Sequence, residues 1–360
     1  MLPSRSPAPR TASQFAIGLV VDRWDWHARA LGKALTALGA QVAAVRLPAC
    51  GFDTQGASGL SIPGIPQLPD AVMVRTMSGG TFEAVTMRLG VLHALRELGV
   101  MVWNDARAIE RCVDKSMTSF LLARAGIPTP ATWATQSHEA ARAIVRREAA
   151  HGPLVLKPLF GSQGKGLRLI GHEDELPDPA AVAGAYYLQR FMGVEREGFR
   201  DFRLLVSQGR VIAAMVRHAP GWITNVKRGG RPVAAVADAE LRDLAVQATA
   251  AVGAAFAGVD ILYGPDARPM VLEVNSMPAW AGAQKVVSAD IAALLADDLV
   301  AALARRKRQE TDQETQQETA RPPARRRMRR ASLPRSWRRA ATSSMRRNPA
   351  MFTSSPTAIG

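Results

Sequence analysis

The stretch GVDILYGPDARPMVLEVN, residues 258–275, decides how the rest of the chain is read. Its arms are short β-branched runs, and Gly264, Pro265, Asp266 and Pro269 punctuate the middle, the pattern of a strand, a turn and a strand. With the reversal centred between Asp266 and Ala267, antiparallel pairing sets Asp260 directly opposite Glu273. The two-residue period of a strand then puts Asn275 on the face of Glu273. Two carboxylates and an amide oxygen suit a hard cation such as magnesium, which keeps several waters and shares its shell with nucleotide phosphates. A hairpin whose polar residues only face water fits the same string. The apolar neighbours of Asp260 and Glu273 favour ligands, because two unpaired carboxylates are costly to bury.

A second phosphate signal lies upstream. Lys157 ends the apolar run PLVLKPL, and the loop Gly161-Ser162-Gln163-Gly164-Lys165-Gly166 begins four residues later. A strand-end lysine can neutralise phosphate charge, and a glycine loop offers unhindered backbone N–H groups to phosphate oxygens. The loop is not a P-loop, which requires Ser or Thr directly after a glycine–lysine pair. A plain hairpin would carry a similar string, so the loop gains weight only from its neighbours.

Length allows two or three domains, and 47% hydrophobic content is that of a globular enzyme. The net charge of +15 is concentrated: from Arg305 onward 15 Lys+Arg stand against 4 Asp+Glu. Cys50 and Cys112 form no spaced metal motif and fit a reducing, cytoplasmic compartment. No apolar run reaches the roughly 18 residues that span a bilayer.

Residues 1–13 read as a flexible extension. Over residues 14–103, the strands FAIGLVV, QVAAVRL, AVMVR and VMVW alternate with helices near 24–38 and 82–98, which predicts an α/β domain on a parallel sheet. No GxGxxG follows its first strand. Asp22, Trp24, His27 and Arg75 fall at strand ends, where such sheets place ligand contacts, although a structural role suits each. Residues 104–192 read as an α+β subdomain, opened by a helix that Asp114 caps and Gly126 stops. Residues 193–304 hold two strands, the basic loop GWITNVKRGG, a helix over 238–256, the metal hairpin and a last helix near 289–304. From Arg305 to Gly360 periodicity vanishes and disorder is expected.

Taken in order, the strings DKSMTSFLLARAGIPTP, PLVLKPLFGSQGKGL, DFRLLVSQGRVIAAMVR, TNVKRGG, AGVDIL and LEVNSMPAWAG resemble the ATP-grasp superfamily, and within it the RimK-type carboxylate-amine ligases. The resemblance implies an ATP-grasp fold of two α+β subdomains behind an N-terminal α/β domain. It implies that Lys115 and Lys157 contact ATP phosphates while Gly161, Ser162, Gln163, Gly164 and Gly166 close over them. Gln189, Arg190, Phe191 and Met192 should line the adenine pocket, with Asp201, Thr224 and Asn225 as further nucleotide contacts. Asp260, Glu273 and Asn275 should ligate two magnesium (or manganese) ions, and Arg203 and Arg217 should hold the acyl phosphate and substrate carboxylates as catalytic residues. Arg190 departs from the family pattern, which commonly has Glu there, and the segment 193–200 is longer than expected.

The function implied is ATP-dependent amide formation through an acyl phosphate, adding L-glutamate to a protein carboxylate or to a cofactor. VNSMPAWAGAQKV and DWHARAL resemble RimK-like proteins of tetrahydromethanopterin metabolism. Lys227 and Arg228 would attract an acidic acceptor. Two alternatives stand beside it: an RNA- or ribosome-associated protein working through its basic tail, and an inactive nucleotide-binding regulator. The tail permits weak nucleic-acid contact, no membrane partner is expected, and a homo-oligomer is compatible with the composition.

Overall fold

Four apolar runs near the N-terminus pair in parallel, each returned to the sheet by a crossover. The computed structural model describes residues 15–161, 164–193 and 198–320. In it these runs are β1 (Ala16–Val20), followed by α1 (Trp26–Ala37), then β2 (Gln41–Val45), and, past the small ribbon of β3 (Gly51–Phe52) and β4 (Leu60–Ser61), β5 (Ala71–Val74), α2 (Phe82–Glu97) and β6 (Met101–Trp103). The sheet order is β2-β1-β5-β6, all parallel, as the alternation predicts. The chain leaves β1 for one side and returns to the other, so a crevice opens beyond the carboxyl ends of β1 and β5.

Helices α3 (Ala106–Val113) and α4 (Lys115–Arg124) follow. Asp114 caps α4 by accepting from the N–H groups of Ser116 and Met117, and Gly126, at φ 71°, ends the turn. Next come β7 (Thr132–Thr135), α5 (His138–Glu148), β8 (Leu154–Lys157), β9 (Arg168–Ile170) and β10 (Tyr186–Arg190), an antiparallel sheet in the order β7-β10-β8-β9. Leu154, Leu156, Tyr186 and Leu188 bury one face together with Ala141 and Val145 of α5. Strand alternation therefore turns Val155, Lys157, Tyr187 and Gln189 to the opposite face.

The largest sheet is built from β11 (Phe199–Ser207), β12 (Arg210–Ala219), β13 (Arg231–Ala234), β14 (Phe256–Tyr263) and β15 (Pro269–Asn275), in the order β13-β12-β11-β14-β15. Leu204, Val206, Val259, Ile261, Val271 and Val274 pack against α6 (Ala239–Val252). Leu122 and Cys112, from α4 and α3, join the same core, so these helices support this sheet although they precede the smaller one in the chain. The other face is divided: Leu205, Ala213, Met215 and Phe256 enter a second core at one end, and Asp201, Arg203, Arg217 and Asp260 occupy the other.

Two helix ends differ from expectation. The helix expected over 238–256 stops at Val252, because Gly253 takes a left-handed cap at φ 75° and Phe256 already belongs to β14. After the short α7 (Ala281–Gln284), α8 runs Ile291–Ala320, so residues 305–320 are helical and not disordered. Ile291, Leu295, Leu299 and Leu303 anchor its first half in the core beside β1 and α1. Beyond them, helix-favouring Arg, Lys, Gln and Glu continue it without an apolar stripe, with Arg306 paired to Glu310 one turn on. The chain divides into units 1–312 and 313–360; of the second, the helical stretch 313–320 is described. Ser162, Gln163, the expected extension 1–13 and the tail beyond Ala320 lie outside the described residues. Among those residues, no helix is long and apolar enough to cross a membrane.

Candidate functional site

The β14–β15 hairpin sets Asp260 directly opposite Glu273, the pairing read from the sequence. It reaches that register by a different route. The turn is centred on Asp266, since Tyr263 faces Pro269 and the Gly264 N–H donates to Arg268 O, with Ala267 at φ 58°. A bulge between Asp260 and Ile261 then admits Leu272 as an extra residue and restores the Asp260–Glu273 opposition. Asn275, two residues on, shares the face of Glu273.

Asp260 is held more tightly than the sequence suggests. It is 4% exposed, and Arg203, its neighbour on β11, chelates it through Nε–Oδ1 at 2.7 Å and Nη2–Oδ2 at 2.6 Å. Arg217 adds an Nη2–Oδ2 contact of 3.1 Å and also forms a two-point pair with Asp201, Nε to Oδ1 at 2.8 Å and Nη2 to Oδ2. Burial alone would raise the Asp260 pKa, but the two guanidiniums outweigh it and hold the carboxyl below its ordinary value. Burial opposes the charge of Arg217 as well, and Asp260 and Asp201 more than restore it. Asp201 lines the cleft, and its carboxylate here serves Arg217.

Glu273 is different. It is half-buried and makes no hydrogen bond or ion pair among the described residues, and the buried Nδ2 of Asn275 is likewise unpartnered. No three His, Cys, Asp or Glu side chains cluster as a metal set among the described residues; the Asn275 amide is the further oxygen on the face of Glu273. Two carboxylates, one without a partner, and an amide oxygen fit a hard cation whose remaining positions fall to water and phosphate, and the orphaned Nδ2 is a donor free for a phosphate oxygen.

Lys157 faces this group from β8. Its Nζ donates to Gln189 Oε1 at 2.5 Å, and Gln189 Nε2 in turn donates to Thr132 Oγ1 at 3.1 Å and Tyr187 Oη at 3.3 Å. Burial, helped by Lys115, pulls the Lys157 pKa down to about 8 against the opposing fields of Glu273 and Asp260. Lys115 donates to the backbone oxygens of Gly161 (2.8 Å) and Leu159 (3.3 Å), which ties the start of α4 to the glycine loop. Burial lowers its pKa also.

The loop itself is seated on the basic loop of the larger sheet. Gly164 (φ 68°) accepts from Arg228 Nη2 at 3.2 Å, and a Cβ there would lie 2.6 Å from Asn225 Oδ1. A cavity of about 380 Å³ runs between the two sheets. Its walls include Lys157, Gln189, Phe191, Met192, Asp201, Arg217, Thr224, Asn225, Asp260 and Glu273. Arg190 also borders it, yet its guanidinium turns away to the Glu148 side chain and to the backbone oxygens of Glu148 (2.9 Å) and Gly152 (3.0 Å). The basic residue at the usual acidic position is thus satisfied outside the cleft. Of the expected site residues, Lys115, Gly161, Gly164 and Gly166 sit at the loop, while Arg203 and Asn275 flank the acidic pair.

Sequence reasoning passed over Trp222, Tyr187 and Asn104. Trp222 lines the cavity and meets Phe191 edge-on at 5.9 Å. Tyr187, two residues before Gln189 and so on its face, bonds Ser119 at 2.7 Å. Asn104 spends its whole amide on backbone: Nδ2 donates to Phe256 O (2.6 Å) and Ser276 O (2.5 Å), and Oδ1 accepts from Ala255 N (2.8 Å) and Phe256 N (2.9 Å). It thereby fixes the backbone next to Asn275. The strand period would have exposed Tyr187; nothing local marks Asn104.

The family model of the RimK-like ATP-grasp domain matches residues 112–299. The chain belongs to this family. The ATP-grasp chain is 35% identical over 246 residues to "Tetrahydromethanopterin:alpha-L-glutamate ligase" of Methanosarcina acetivorans, covering 59% of this chain and 74% of that one. It is 33% identical over 240 residues to "Probable alpha-L-glutamate ligase" of Sodalis glossinidius, covering 62% and 80%. Its fold matches the ATP-grasp ligase PsnB, solved with minimal precursor, Mg and ADP, at a TM-score of 0.61 and 24% identity over 82% of this chain and 99% of that one. D-cycloserine synthetase DcsG matches at 0.60 and 20% identity, over 80% and 99%. Family membership makes this an ATP-grasp ligase, a former of carbon–nitrogen bonds, and favours that reading over the RNA-binding and inactive-regulator alternatives.

Proposed function

We propose that this ligase joins L-glutamate to a carboxylate, with a reduced pterin cofactor as the acceptor class. The observation that carries the reading is the unpartnered Glu273 facing Asp260 in one cavity with Lys157. The relatives' names supply glutamate and the pterin.

ATP would lie between the two sheets, with its base beside Gln189, Phe191 and Met192 and its phosphates under the glycine loop near Lys115 and Lys157. Asp260, Glu273 and Asn275 would hold two magnesium ions, which neutralise phosphate charge when bound. The acceptor carboxylate takes the γ-phosphoryl group to give an acyl phosphate. The glutamate amine then attacks, phosphate leaves, and an amide and ADP remain. The protein's part is positioning and charge: Lys157 faces the transferred group, and Arg217 is kept cationic by its two acids. No nucleophilic serine or cysteine is needed, and Cys50 and Cys112 are buried and free, which suits a reducing cytoplasm. The basic tail would at most add weak nucleic-acid contact, and a homo-oligomer is compatible with this reading.

The test is to incubate the full chain with ATP, magnesium and L-glutamate, and to measure ADP against a panel of pterin, protein-terminal and peptide carboxylates. A pterin-dependent burst of ADP and a product heavier by one glutamyl residue support the reading. ADP release that no acceptor raises above background overturns it.

A further inference from the structure

At the carboxyl end of β5 stands a cation to which no carboxylate is hydrogen-bonded among the described residues. Arg75, one residue past β5, is 4% exposed, and its guanidinium donates no hydrogen bond among the described residues; Nε and Nη1 are both buried and orphaned. Its guanidinium lies 4.7 Å over the ring of Trp280, which is itself fully buried. A buried, unsatisfied charge costs several kcal/mol, and burial drags the Arg75 pKa down to about 10.

The neighbours do not remove the cost. Asp25 alone opposes the loss of the Arg75 charge, and its carboxylate is already committed: Oδ1 accepts from Ala28 N at 2.9 Å and Oδ2 lies 3.2 Å from His27 Nδ1. His27 Nε2 accepts from the N–H groups of Trp280 and Ala281, both at 3.2 Å, so this ring nitrogen carries no proton and the imidazole is neutral. Burial, Arg75 and Lys227 all press His27 toward that neutral form. Asp25 thus balances the Arg75 charge through space but gives its guanidinium no hydrogen bond.

The position is also suited to a substrate. Open parallel sheets bind ligands at the carboxyl ends of their strands where the order reverses, which here is between β1 and β5. Trp280 is five residues beyond Asn275, so the chain permits at most about 18 Å between their Cα atoms. Lys227, whose charge reaches His27, stands two residues after Asn225 in the cavity wall.

We propose that Arg75, stacked on Trp280 in the β1–β5 crevice, is the anchor for a carboxylate of the enzyme's small-molecule substrates. The inference rests on the ligase reading above. A planar guanidinium presents paired donors that match a carboxylate, and an anion on either edge supplies one of the two missing hydrogen bonds, at Nε or at Nη1, together with one from Nη2. The carboxylate comes either from glutamate or from the far end of the acceptor.

The test uses the full chain with AMP-PNP and magnesium, and compares wild type with Arg75→Met and Arg75→Lys by calorimetric titration. The probes are L-glutamate, its two mono-amides, and tetrahydrofolate as a pterin ending in carboxylates. Arg75→Met should weaken one probe 10- to 100-fold, should abolish the preference for the acid over the matching amide, and should leave AMP-PNP affinity and the melting temperature no lower than in wild type. Arg75→Lys, which keeps the charge without the fork, should fall between and carries the test if Arg75→Met does not fold. Selective loss of glutamate or of tetrahydrofolate identifies the source of the carboxylate. Unchanged carboxylate affinities, or an equal loss for nucleotide and carboxylates, overturn the proposal while the ligase reading stands. A wild-type chain that binds no nucleotide removes the ligase reading and this inference with it.

Discussion

Arg203 grips Asp260 through both Nε and Nη2, so the carboxylate proposed above as a cation ligand is already paired with a guanidinium. Cation binding then has to share or displace an arginine. Arg203→Met leaves Asp260 with Arg217 alone, and breaking a buried ion pair costs about 3–5 kcal/mol, nearer the lower figure because Arg217 stays at 3.1 Å. Urea unfolding should show that loss, and magnesium or manganese should return part of it in the variant more than in wild type. A loss that neither metal reverses removes Asp260 from the ligand set.

Glu273 offers the opposite case. It has no partner to lose, so Glu273→Gln should shift stability by no more than about 0.5 kcal/mol. Turnover should nevertheless fall by about 100- to 1,000-fold, the scale of removing one preorganised charge-stabilising group. ADP release and thermal melting of the same sample separate the two. A variant that melts far below wild type would show that Glu273 holds the fold.

Gly164 tests the seating of the loop. Alanine there must adopt φ 68° with its Cβ 2.6 Å from Asn225 Oδ1, so the loop has to lift away from Asn225. With phosphate placed under the loop as proposed above, Gly164→Ala should raise the KM for ATP about tenfold with kcat changed less. Steady-state titration of ATP reads it, and an unaltered KM would place the phosphates elsewhere.

What could be read from the chain was what is local. The Asp260–Glu273 opposition follows from two strand periods and a turn, and Asp114 and Gly126 announce the limits of α4 one residue at a time. The bulge that admits Leu272 is not encoded in the hairpin's own pattern, and the right pair emerged from a turn placed half a residue off. The Arg203–Asp260 clasp joins positions 57 apart along the chain and depends on which strands become neighbours. A still longer separation in sequence hid the stacking of Arg75 on Trp280. The end of α8 was missed for another reason: a polar helix continues wherever its apolar first half is pinned, and periodicity is silent there.

Asn104 holds four backbone groups of two distant segments at once. Asn104→Ala leaves them buried without partners, and each orphaned group costs about 1–3 kcal/mol before any relaxation. A total loss of at least about 3 kcal/mol is expected, read as a lower urea midpoint with an unchanged slope. Because Ser276 follows Asn275 directly, metal affinity should fall in the fraction that remains folded. A stability within 1 kcal/mol of wild type, on the scale of an ordinary surface change, would refute the anchoring role.

Lys157 makes nucleotide binding depend on pH. With its pKa at about 8, it starts to lose its proton more than two units below an ordinary lysine, chiefly through burial and then through Lys115. A bound polyphosphate favours the charged form and so raises that pKa. The sign follows: affinity for ADP, measured without metal, should be level below pH 7 and should weaken as pH rises through about 8, approaching tenfold per unit. At pH 8 binding should take up about half a proton, which calorimetry in buffers of different ionisation enthalpy detects. Arg in place of Lys157 stays charged throughout, so Lys157→Arg should flatten the profile. Proton release on binding, or a wild-type profile as flat as that of the arginine variant, would show that the lysine does not face phosphate.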